Sequence, residues 1–548
     1  MTEILNRDMP PDLSMDDATA AQIAVATLER HGVDVVFGIP GVHTLALYDA
    51  LSTSPIRHVL ARHEGGAGFM ADGYARATGR PGVAVVITGP GITNIATPVG
   101  EAYADSSPLL ILSANVPNSH IDKMRGNLHD LKDQLGLMRT ITKWNARVER
   151  PDEVEPLLSE ALHCSTTGRH RPVHVEIPLD ILDMSSGPAR EWSSSIDKTF
   201  YPSPELVDEA VARLQGADRV VIYCGGGAVS SGAGESIAII AEHFSAPVIT
   251  SIMGKGSIPE DHPLALGALW SPGNAVDELV RTADCLLVFG SKLGAQATEN
   301  FDFPLPPELI RVEIDSDEMF LNARPSLPIV ADARLAAEAI AALLVAQDSQ
   351  RSGCDPEQVT DVRRRAQQHA FGVERLDYLA ALRDALPRDG ISCWDMTMMS
   401  YAACGLFPVY SPRTFFFPSG FGTLGFALPV ALGAKIARPE IDVMCVCGDG
   451  GFQFTMQETA TAVEQRLGVP IVIFNDSTYS AVKEEQSRKR NGRFIAVDLT
   501  NPDYVALAGA YGIPAVRAYT PDELARAVRE AFTRNLPTII DVPIAPWV

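Results

Sequence analysis

The chain has no excess of basic residues and no long apolar segment. Its 548 residues contain 45 Lys and Arg against 68 Asp and Glu, a formal net charge of −23 at pH 7. Nucleic acids and anionic membranes recruit clustered basic side chains, so this balance disfavours both as partners. No stretch reaches the roughly 20 apolar residues of a membrane-spanning helix, and the start MTEILNRDMPPDLSMDD has no signal-peptide pattern. We therefore expect a cytoplasmic protein that has a mobile N-terminal arm and acts on a small molecule.

Cysteine is also scarce and shows no metal-binding spacing. The eight cysteines are scattered, mostly within apolar segments, as is typical of reduced core residues in a large chain. Cys445 and Cys447 lie two apart inside a strand pattern and have no second Cys/His pair at zinc spacing. We interpret them as packing residues, with half of a metal site as the alternative.

Short apolar segments alternate with helical patterns along the chain, which is typical of stacked βαβ units. Ser-, Pro- and charge-rich stretches at 184–204 and 346–358 are predicted to be linkers. The sequence therefore predicts an α/β protein of three doubly wound parallel-sheet domains, at 1–185, 200–345 and 360–548. The strand candidates are VDVVFGIPG, GVAVVITGPG, PLLILSAN, RVVIYCGGG, CLLVFGSK, DVMCVCGDG and PIVIFND.

The strongest chemical signal is the tripeptide Gly448-Asp449-Gly450 at the end of a predicted strand. A helical pattern over about 454–465 and a second strand lead to Asp476, which lies 27 residues after Asp449. This separation matches one strand-helix-strand unit, so both acids are predicted to lie at one edge of a parallel sheet. The glycines would admit a diphosphate to the backbone, and the carboxylates would bind Mg²⁺, which prefers hard oxygen ligands. An ordinary Gly-Asp-Gly turn is the alternative interpretation.

Glu64 lies between a predicted strand and a predicted helix, in the segment RHEGGAGFMADGYAR. The first turn of that helix is almost entirely Gly and Ala, which allows close approach to the backbone. A glutamate at a helix start also interacts favourably with the helix dipole, and this is the simpler interpretation. The residues alone leave both readings open.

Together these segments resemble the thiamine diphosphate-dependent decarboxylase and acetolactate synthase superfamily over nearly the whole chain. Its cofactor motif is GDG followed after a fixed interval by Asn-Asn, and the segment around Glu64 resembles the one that carries its activating glutamate. The resemblance implies a pyrimidine-binding, a central Rossmann-like and a diphosphate-binding domain. It implies that Glu64 hydrogen-bonds the aminopyrimidine ring and favours the tautomer that deprotonates the thiazolium. It also implies that Glu64 and the GDG motif serve one cofactor from different subunits of a homodimer or homotetramer.

Further cofactor contacts follow from the same resemblance. Asp449, Asp476 and the backbone carbonyl of Thr478 match the magnesium ligands. Leu424, in SGFGTLGFALP, matches the residue that wedges between the two cofactor rings, with a plain core leucine as the alternative. Asp476 departs from the superfamily pattern, because it stands where the second Asn is expected. Its extra negative charge beside the diphosphate bears on cofactor affinity rather than on cofactor identity.

Two histidines are candidates for proton transfer, because imidazole titrates near neutral pH. His43, in GIPGVHTLALYDAL, and His129, in GNLHDLKDQ, each lie in a predicted loop, where a structural or solvated histidine is the alternative. The first segment resembles the benzaldehyde lyase pattern, which implies that both histidines face the reacting carbonyl. The acid that pyruvate decarboxylases use would fall at Val482, which disfavours their route to a released aldehyde.

The central segment has a glycine-rich turn, IYCGGGAVSSGAGES, that departs from G-x-G-x-x-G and lacks the acid of a dinucleotide fingerprint. Acetolactate synthases hold FAD with this domain, but the sequence after GSKLG reads GAQATENF rather than a flavin-site signature. We expect no FAD, and a bound flavin stays as the alternative. The charged segment KEEQSRKRNGRF, with Glu484 and Glu485, is interpreted as a solvated helix face, with closure over a substrate as the alternative.

The predicted function is that of a thiamine diphosphate- and Mg²⁺-dependent lyase that decarboxylates a 2-oxo acid. The segments GIPGVHTLALYDAL, ITGPGITNIAT and GNLHDLKDQ resemble the group that contains 5-guanidino-2-oxopentanoate decarboxylase. A carboligase of the acetolactate synthase or benzaldehyde lyase type, acting on a 2-oxo acid or an aldehyde, is the alternative. A non-catalytic homologue is a third reading, which the presence of both Glu64 and Asp449 disfavours.

Overall fold

The computed structural model describes residues 18–186, 199–346 and 353–547. The predicted N-terminal arm and the central parts of both predicted linkers lie outside these residues. The chain divides into two compact units. The first contains residues up to 72 together with 80–186, and the second contains 73–79 and the residues from 199 onward.

The first unit is built on a six-stranded parallel sheet. Its strands are β1 Val35–Gly38, β2 Arg57–Leu60, β3 Gly82–Val86, β4 Leu109–Asn115, β5 Trp144–Arg147 and β6 Val173–Pro178, in the order β2-β1-β3-β4-β6-β5. The helices are α1 Ala20–Arg30, α2 Leu45–Ser52, α3 Glu64–Thr78, α4 Pro90–Asp105, α5 Gln134–Arg139, α6 Val154–Thr166 and α7 Leu179–Leu182, and residues 73–78 of α3 are assigned to the second unit. β3, β4 and β6 are buried throughout, as expected for strands that have helices on both faces of the sheet.

The second unit contains two further parallel sheets, the first of which spans its central part. The strands are β7 Val220–Cys224, β8 Val248–Thr250, β9 Ala265–Gly267, β10 Cys285–Phe289, β11 Glu308–Glu313 and β12 Leu327–Val330, in the order β12-β11-β10-β7-β8-β9. The helices are α8 Pro204–Gly216, α9 Gly226–Ser231, α10 Gly234–Phe244, α11 Ala275–Val280 and α12 Ala333–Ala346.

The C-terminal sheet carries most of the predicted cofactor residues. Its strands are β13 Ile391–Trp394, β14 Phe415–Phe416, β15 Val443–Gly448, β16 Pro470–Asn475, β17 Ala515–Arg517 and β18 Thr538–Pro543, in the order β14-β13-β15-β16-β18-β17. The helices are α13 Pro356–Gln368, α14 Leu376–Ala385, α15 Met398–Leu406, α16 Ala427–Ala437, α17 Asp449–Thr455, α18 Glu458–Glu464, α19 Ser480–Arg490, α20 Tyr504–Tyr511 and α21 Pro521–Phe532.

Three parallel six-stranded sheets with flanking helices confirm the predicted α/β class. The boundaries of the three domains stay predictions. Across the described ranges, no helix is both long enough and apolar enough to cross a membrane.

One element differs from the sequence-based expectation. The helix expected over about 454–465 is two helices, α17 and α18, and α17 begins at Asp449 itself, directly after β15. The glycines at 450 and 451 are weak helix formers, so local propensity alone does not predict a helix there. In the fold these two glycines lie in the first turn of α17. Each packs against a neighbouring side chain that leaves no room for a Cβ atom, so packing requires glycine there.

Candidate active site

Asp449 and Asp476 follow two adjacent strands at one edge of the C-terminal sheet. β15 and β16 pair in parallel, with Gly448 opposite Phe474, so both strands end at the same level. Asp449 opens α17 and is 2% exposed, and Asp476 begins the loop that leads to α19. The structure thus brings together the two acids that the sequence spacing predicted to be neighbours.

Asn501 connects these two strand ends. Its side-chain amide donates to Asp449 Oδ2 at 2.5 Å and to Asn475 Oδ1 at 3.0 Å. Its own side-chain oxygen accepts from Gln453 Nε2 at 3.0 Å, and the Tyr504 hydroxyl donates to the Asp449 carbonyl at 3.2 Å. Asp449 is therefore fixed in one orientation by neutral donors rather than by a cation.

The loop after β16 presents a second carboxylate and a backbone carbonyl. Asp476 accepts from the Ser480 hydroxyl and, at 3.2 Å, from the Thr478 backbone N–H. The backbone groups on either side of Thr478 are engaged, since Tyr479 N–H donates to Val497 and the Ser477 carbonyl accepts from Leu499. Within the described part of the chain, no hydrogen bond engages the Thr478 carbonyl oxygen.

The charge balance of this edge suits a divalent cation. Burial raises the pKa of Asp449 to about 6, and the charge of Asp476 acts in the same direction, although Asn501 opposes it. Burial also raises the pKa of Asp476 above its ordinary value. Two buried carboxylates of like charge stay ionised at neutral pH most readily when a cation lies between them. Two carboxylates and one carbonyl, together with phosphate oxygens, match the ligands that Mg²⁺ prefers.

The glycines beside Asp449 have a structural requirement of their own. A Cβ atom at Gly450 would lie 2.4 Å from Tyr479 Cε1, and one at Gly448 would lie 2.8 Å from Thr397 Oγ1. Close packing of side chains against this turn therefore requires glycine. The bare backbone that results is also the surface that a diphosphate would need to approach.

Leu424 lies in the turn before α16 and is partly exposed. The next residue, Gly425, has φ +83, and a Cβ atom there would lie 2.7 Å from Phe454 Cβ. Its carbonyl accepts from Thr455 Oγ1 at 2.9 Å. This turn is thus held against α17, the helix that begins at Asp449. Leu424 and Asp449 belong to elements in direct contact.

Glu64 occupies the first position of α3, as its sequence context predicted. Its Oε2 accepts from Asn94 Nδ2 at 2.9 Å. Asn94 comes from α4, which begins at Pro90 after Gly89 in a left-handed conformation with φ +60. The glutamate is therefore oriented by a side chain from a neighbouring strand-helix junction.

His43 and His129 lie close together in the first unit, with ring centroids 5.3 Å apart. His43 is 6% exposed within a short 3₁₀ helix, Val42–Thr44. Burial lowers its pKa below the ordinary value, His129 acts in the same direction, and a backbone hydrogen bond with Leu128 opposes both. His43 Nδ1 is buried and has no hydrogen-bond partner in the described part of the chain. At neutral pH this ring is uncharged.

The backbone of His129 packs against Gly89, just after β3 of the first unit. His129 has φ +67, and a Cβ atom at Gly89 would lie 2.6 Å from the His129 carbonyl oxygen. At the end of this loop, Gln134 begins α5, accepts from the Thr88 hydroxyl at 2.8 Å and donates to Glu176 Oε2 at 2.8 Å. The loop that carries His129 is therefore fixed at both the strand end and the helix start.

The glycine-rich turn of the central sheet is filled by protein backbone. A Cβ atom at Gly225 would lie 2.3 Å from the Gly290 carbonyl oxygen, and Gly227 N–H donates to that oxygen at 2.9 Å. These residues follow β7 and β10, adjacent strands at the point where the strand order reverses. A nucleotide would be expected in this crevice. Backbone packing alone thus accounts for these glycines.

Sequence reasoning missed several residues that orient the predicted site. Asn501, Asn94 and Gln453 carry no local motif, and Asn501 lies 52 residues from its partner Asp449. The described residues contain no group of three or more His, Cys, Asp or Glu side chains that could hold a metal. A magnesium site here would accordingly rest on two carboxylates, a carbonyl and the cofactor's own oxygens.

By its fold and by this sheet edge, the chain is an α/β protein with paired oxygen donors at the carboxyl ends of adjacent parallel strands. Three parts of the chain match families of thiamine pyrophosphate enzyme domains. Residues 18–137 match the N-terminal TPP binding domain, 207–340 the central domain and 395–542 the C-terminal TPP binding domain.

Curated proteins with similar sequences point the same way. The chain is 39% identical to a probable 2-ketoarginine decarboxylase of Pseudomonas aeruginosa over 539 residues, which cover 96% of this chain and 94% of that protein. It is 34% identical to a probable acetolactate synthase large subunit of Methanocaldococcus jannaschii, over 96% and 92% of the two chains. For the acetolactate synthase isozyme 3 large subunit of Escherichia coli, the identity is 32% over 97% and 95%.

The chain therefore belongs to the thiamine pyrophosphate enzyme family, and the resemblance seen in its motifs is confirmed. It is an enzyme, and two of its three matched domains are of the types that bind thiamine diphosphate, the same compound as thiamine pyrophosphate.

Proposed function

We propose that this enzyme decarboxylates a 2-oxo acid with the help of thiamine diphosphate and Mg²⁺. The observation that carries the proposal is the pair Asp449 and Asp476 at adjacent strand ends, both with pKa values raised by burial, although Lys483 acts in the opposite direction on Asp476. When bound, thiamine diphosphate would supply a carbon nucleophile and an electron acceptor for cleavage of the bond to the carboxylate.

The proposed site residues that would contact the cofactor have three roles. Asp449, Asp476 and the Thr478 carbonyl would bind Mg²⁺, while Gly448 and Gly450 leave the backbone accessible to the diphosphate. Leu424 would fix the orientation of the two rings, and Glu64 would hold a proton at the aminopyrimidine ring.

The histidine pair would complete the site on the substrate side. His43 is neutral at pH 7, since burial lowers its pKa. It would therefore hold or donate a proton at the substrate oxygen without adding charge, with His129 beside it.

The proposed substrate is 5-guanidino-2-oxopentanoate, which is 2-ketoarginine. Support comes from the sequence segments that resemble this group of decarboxylases and from the similarity to the Pseudomonas protein. The experiment measures carbon dioxide release from this compound and from pyruvate, with thiamine diphosphate and Mg²⁺ present. Faster release from the guanidino compound is expected, and no turnover on any 2-oxo acid would overturn the decarboxylase proposal.

A carboligase is the second candidate, and Val482 favours it. Val482 lies on α19 with a 52% exposed side chain, at the position where pyruvate decarboxylases would carry an acid. Acetolactate synthases are also among the similar proteins. Product analysis separates the two candidates, because an acyloin forms only when a second carbonyl compound is joined.

The role of Glu64 is tested by Glu64→Gln. Turnover is expected to fall by about 10²–10⁴-fold, the range typical of a lost proton-transfer group, while thiamine diphosphate still binds. Glu155→Gln is the matched control, because Glu155 also lies in the first turn of a helix but pairs with Arg30. Normal turnover by Glu64→Gln would exclude this mechanism.

We further propose a homodimer as the smallest active unit, with a homotetramer formed by pairing of dimers as the alternative assembly. If Glu64 and Asp449 from different subunits serve one cofactor, co-expressed Glu64→Gln and Asp449→Asn chains form some intact sites. Random pairing would restore about a quarter of the normal activity, although each variant alone is inactive. Native mass spectrometry gives the number of subunits, and the absence of any recovery would contradict sharing between subunits.

A further inference from the structure

Asp395 is a buried carboxylate that is bound almost wholly by backbone N–H groups. It follows β13 at the same sheet edge as Asp449 and is 1% exposed. Oδ1 accepts from Met396 N–H at 2.8 Å and from Gly425 N–H at 3.1 Å, and Oδ2 accepts from Ala427 N–H at 3.1 Å. The Phe426 N–H also contributes, and in the described residues no Lys or Arg pairs with this carboxylate.

Burying a carboxylate without a cation costs free energy unless several hydrogen bonds compensate, so the position of Asp395 calls for a structural explanation. Burial raises the pKa of Asp395 to about 6 even with these backbone donors. Three of the donors are consecutive, in the turn at 425–427 that directly follows Leu424. The carboxylate therefore organises this turn rather than the strand from which it comes.

The same carboxylate also contacts the helix that begins at Asp449. A Cβ atom at Gly451 would lie 2.7 Å from Asp395 Oδ1, so the first turn of α17 fits against the carboxylate only as glycine. On the far side of the turn, Thr455 of α17 donates to the Gly425 carbonyl at 2.9 Å. Asp395 and Thr455 thus hold the turn from its N–H side and from its C=O side.

We propose that Asp395 is a positioning residue that fixes Leu424 relative to Asp449, so that the ring-orienting and metal-binding parts of the site keep one geometry. The inference rests on the proposed function for the roles of Leu424 and Asp449. The hydrogen-bonded turn itself exists independently of those roles.

The first test needs neither cofactor nor turnover. Asp395→Asn keeps the shape but replaces one acceptor oxygen with a donor, which repels the backbone N–H groups. Amide hydrogen exchange of residues 425–427 in the cofactor-free protein is expected to accelerate about tenfold or more. Unchanged exchange in a folded variant would overturn the proposal.

A matched control is available in the central sheet region. Asp277 is also a buried carboxylate, 2% exposed, that accepts from Gly273 N–H and from Trp270 Nε1, and unlike Asp395 it also pairs with Arg281 at 2.8 Å. Asp277→Asn is expected to lower thermal stability without changing exchange at 425–427 or binding of thiamine diphosphate. A similar effect of both variants would mean that Asp395 matters only for stability, and the proposal would fail.

The second test separates positioning from general stability by a double-mutant cycle. Asp395→Asn alone is expected to weaken binding of thiamine diphosphate about tenfold and to lower kcat more than it changes the substrate KM. In a Leu424→Ala background the same change is expected to have less than about a threefold effect, because the residue it positions is gone. Additive effects would show that Asp395 does not act through Leu424.

Thr455→Val provides a second route if Asp395→Asn does not fold. It removes only the hydroxyl that holds the Gly425 carbonyl, and faster exchange at 425–427 with the same non-additivity toward Leu424→Ala is expected. Normal hydrogen exchange in this variant would contradict the conclusion that the turn is held both at its N–H groups and at its carbonyl. If the unmodified enzyme does not bind thiamine diphosphate, the proposed function fails, whereas the exchange result still decides whether Asp395 holds the turn.

Discussion

At the scale of single residues, the neighbouring His129 affects the protonation of His43 in the first unit. Burial is the larger cause of the lowered pKa of His43, and His129 is the second. A folded-state pKa below the unfolded value means that the neutral ring contributes stability that is fully present above about pH 6.5. This contribution is lost as the pH falls from that value through the folded-state pKa.

The prediction is that His129→Ala raises the pKa of His43 only part of the way to its ordinary value, because burial remains. NMR titration of the histidine ring protons measures this directly. His262→Ala, in the central sheet region, serves as the control and leaves the His43 titration unchanged. A wild-type His43 that titrates at or above pH 6.5 would contradict the structure of this pair.

Asn94 gives a second prediction at this scale. Its amide donates to the Glu64 carboxylate, and hydrogen bonds to charged groups contribute about 1.5–3 kcal/mol. Asn94→Ala is expected to lower kcat/KM by about tenfold or more, while Thr93→Ala, one residue earlier on α4, has little effect. Steady-state kinetics with the best 2-oxo acid measures both variants. Equal activity of Asn94→Ala and the wild type would mean that Glu64 is oriented by other contacts.

The residues that sequence reasoning found and missed differ in a physical way. Asp449 and Asp476 were placed together because one strand-helix-strand unit has a fixed length, so spacing alone determines that both lie at one edge. Asn94 and Asn501 were not found, since Asn94 reaches its carboxylate from α4 and Asn501 from a separate loop, and the position of each depends on packing of the whole domain. The roles of Asp449 and Asp476 as magnesium ligands and of Glu64 as a catalytic group stay predictions.

At the scale of elements, α17 shows how packing overrides local propensity. The sequence predicted a helix that begins only at about residue 454, yet the helix begins at Asp449. Gly450 lies against the ring of Tyr479, which follows the Asp476 loop. The absence of a Cβ atom at Gly450 thus sets the distance between the two segments that carry the acids.

We therefore predict that Gly450→Ala separates these segments and weakens Mg²⁺-dependent binding of thiamine diphosphate about tenfold or more, since overpacking at a contact of 2.4 Å forces a shift. Tyr479→Ala in the same chain is expected to restore part of the affinity. Isothermal titration calorimetry measures both.

Gly509→Ala is the control for this substitution. Gly509 lies in α20 with nothing within 4 Å of an added Cβ atom, so the change is tolerated and gains up to about 1 kcal/mol of helix propensity. Wild-type affinity in Gly450→Ala would show that Tyr479 moves aside without cost.

At the scale of the whole molecule, the alternating strand and helix patterns predicted three parallel sheets, and three are found. The pattern predicted them because strands buried on both faces must be apolar throughout. It could not predict how the central and C-terminal sheets of the second unit join. That connection depends on a few buried polar groups that are distant in sequence.

Glu260 is the centre of this connection. It accepts from Lys255 Nζ at 2.8 Å, and its backbone and side chain both bond to Val409, at 2.9 and 3.2 Å. The Lys255 side chain is fully buried and lies 5.5 Å from the centre of the Phe415 ring. Glu260 thus ties the segment before β9 to the segment before β14.

Removing one member of a buried ion pair leaves the other charge uncompensated. Lys255→Met is therefore expected to lower the free energy of unfolding of this unit by about 3–5 kcal/mol. Adding Glu260→Gln to the same chain is expected to recover much of that loss, because the uncompensated carboxylate is then absent. Arg388→Ala, which breaks the exposed pair with Asp261, costs less than about 1 kcal/mol. Calorimetric unfolding of the four proteins measures these differences, and a Lys255→Met variant as stable as Arg388→Ala would show that the sheets are joined by apolar packing alone.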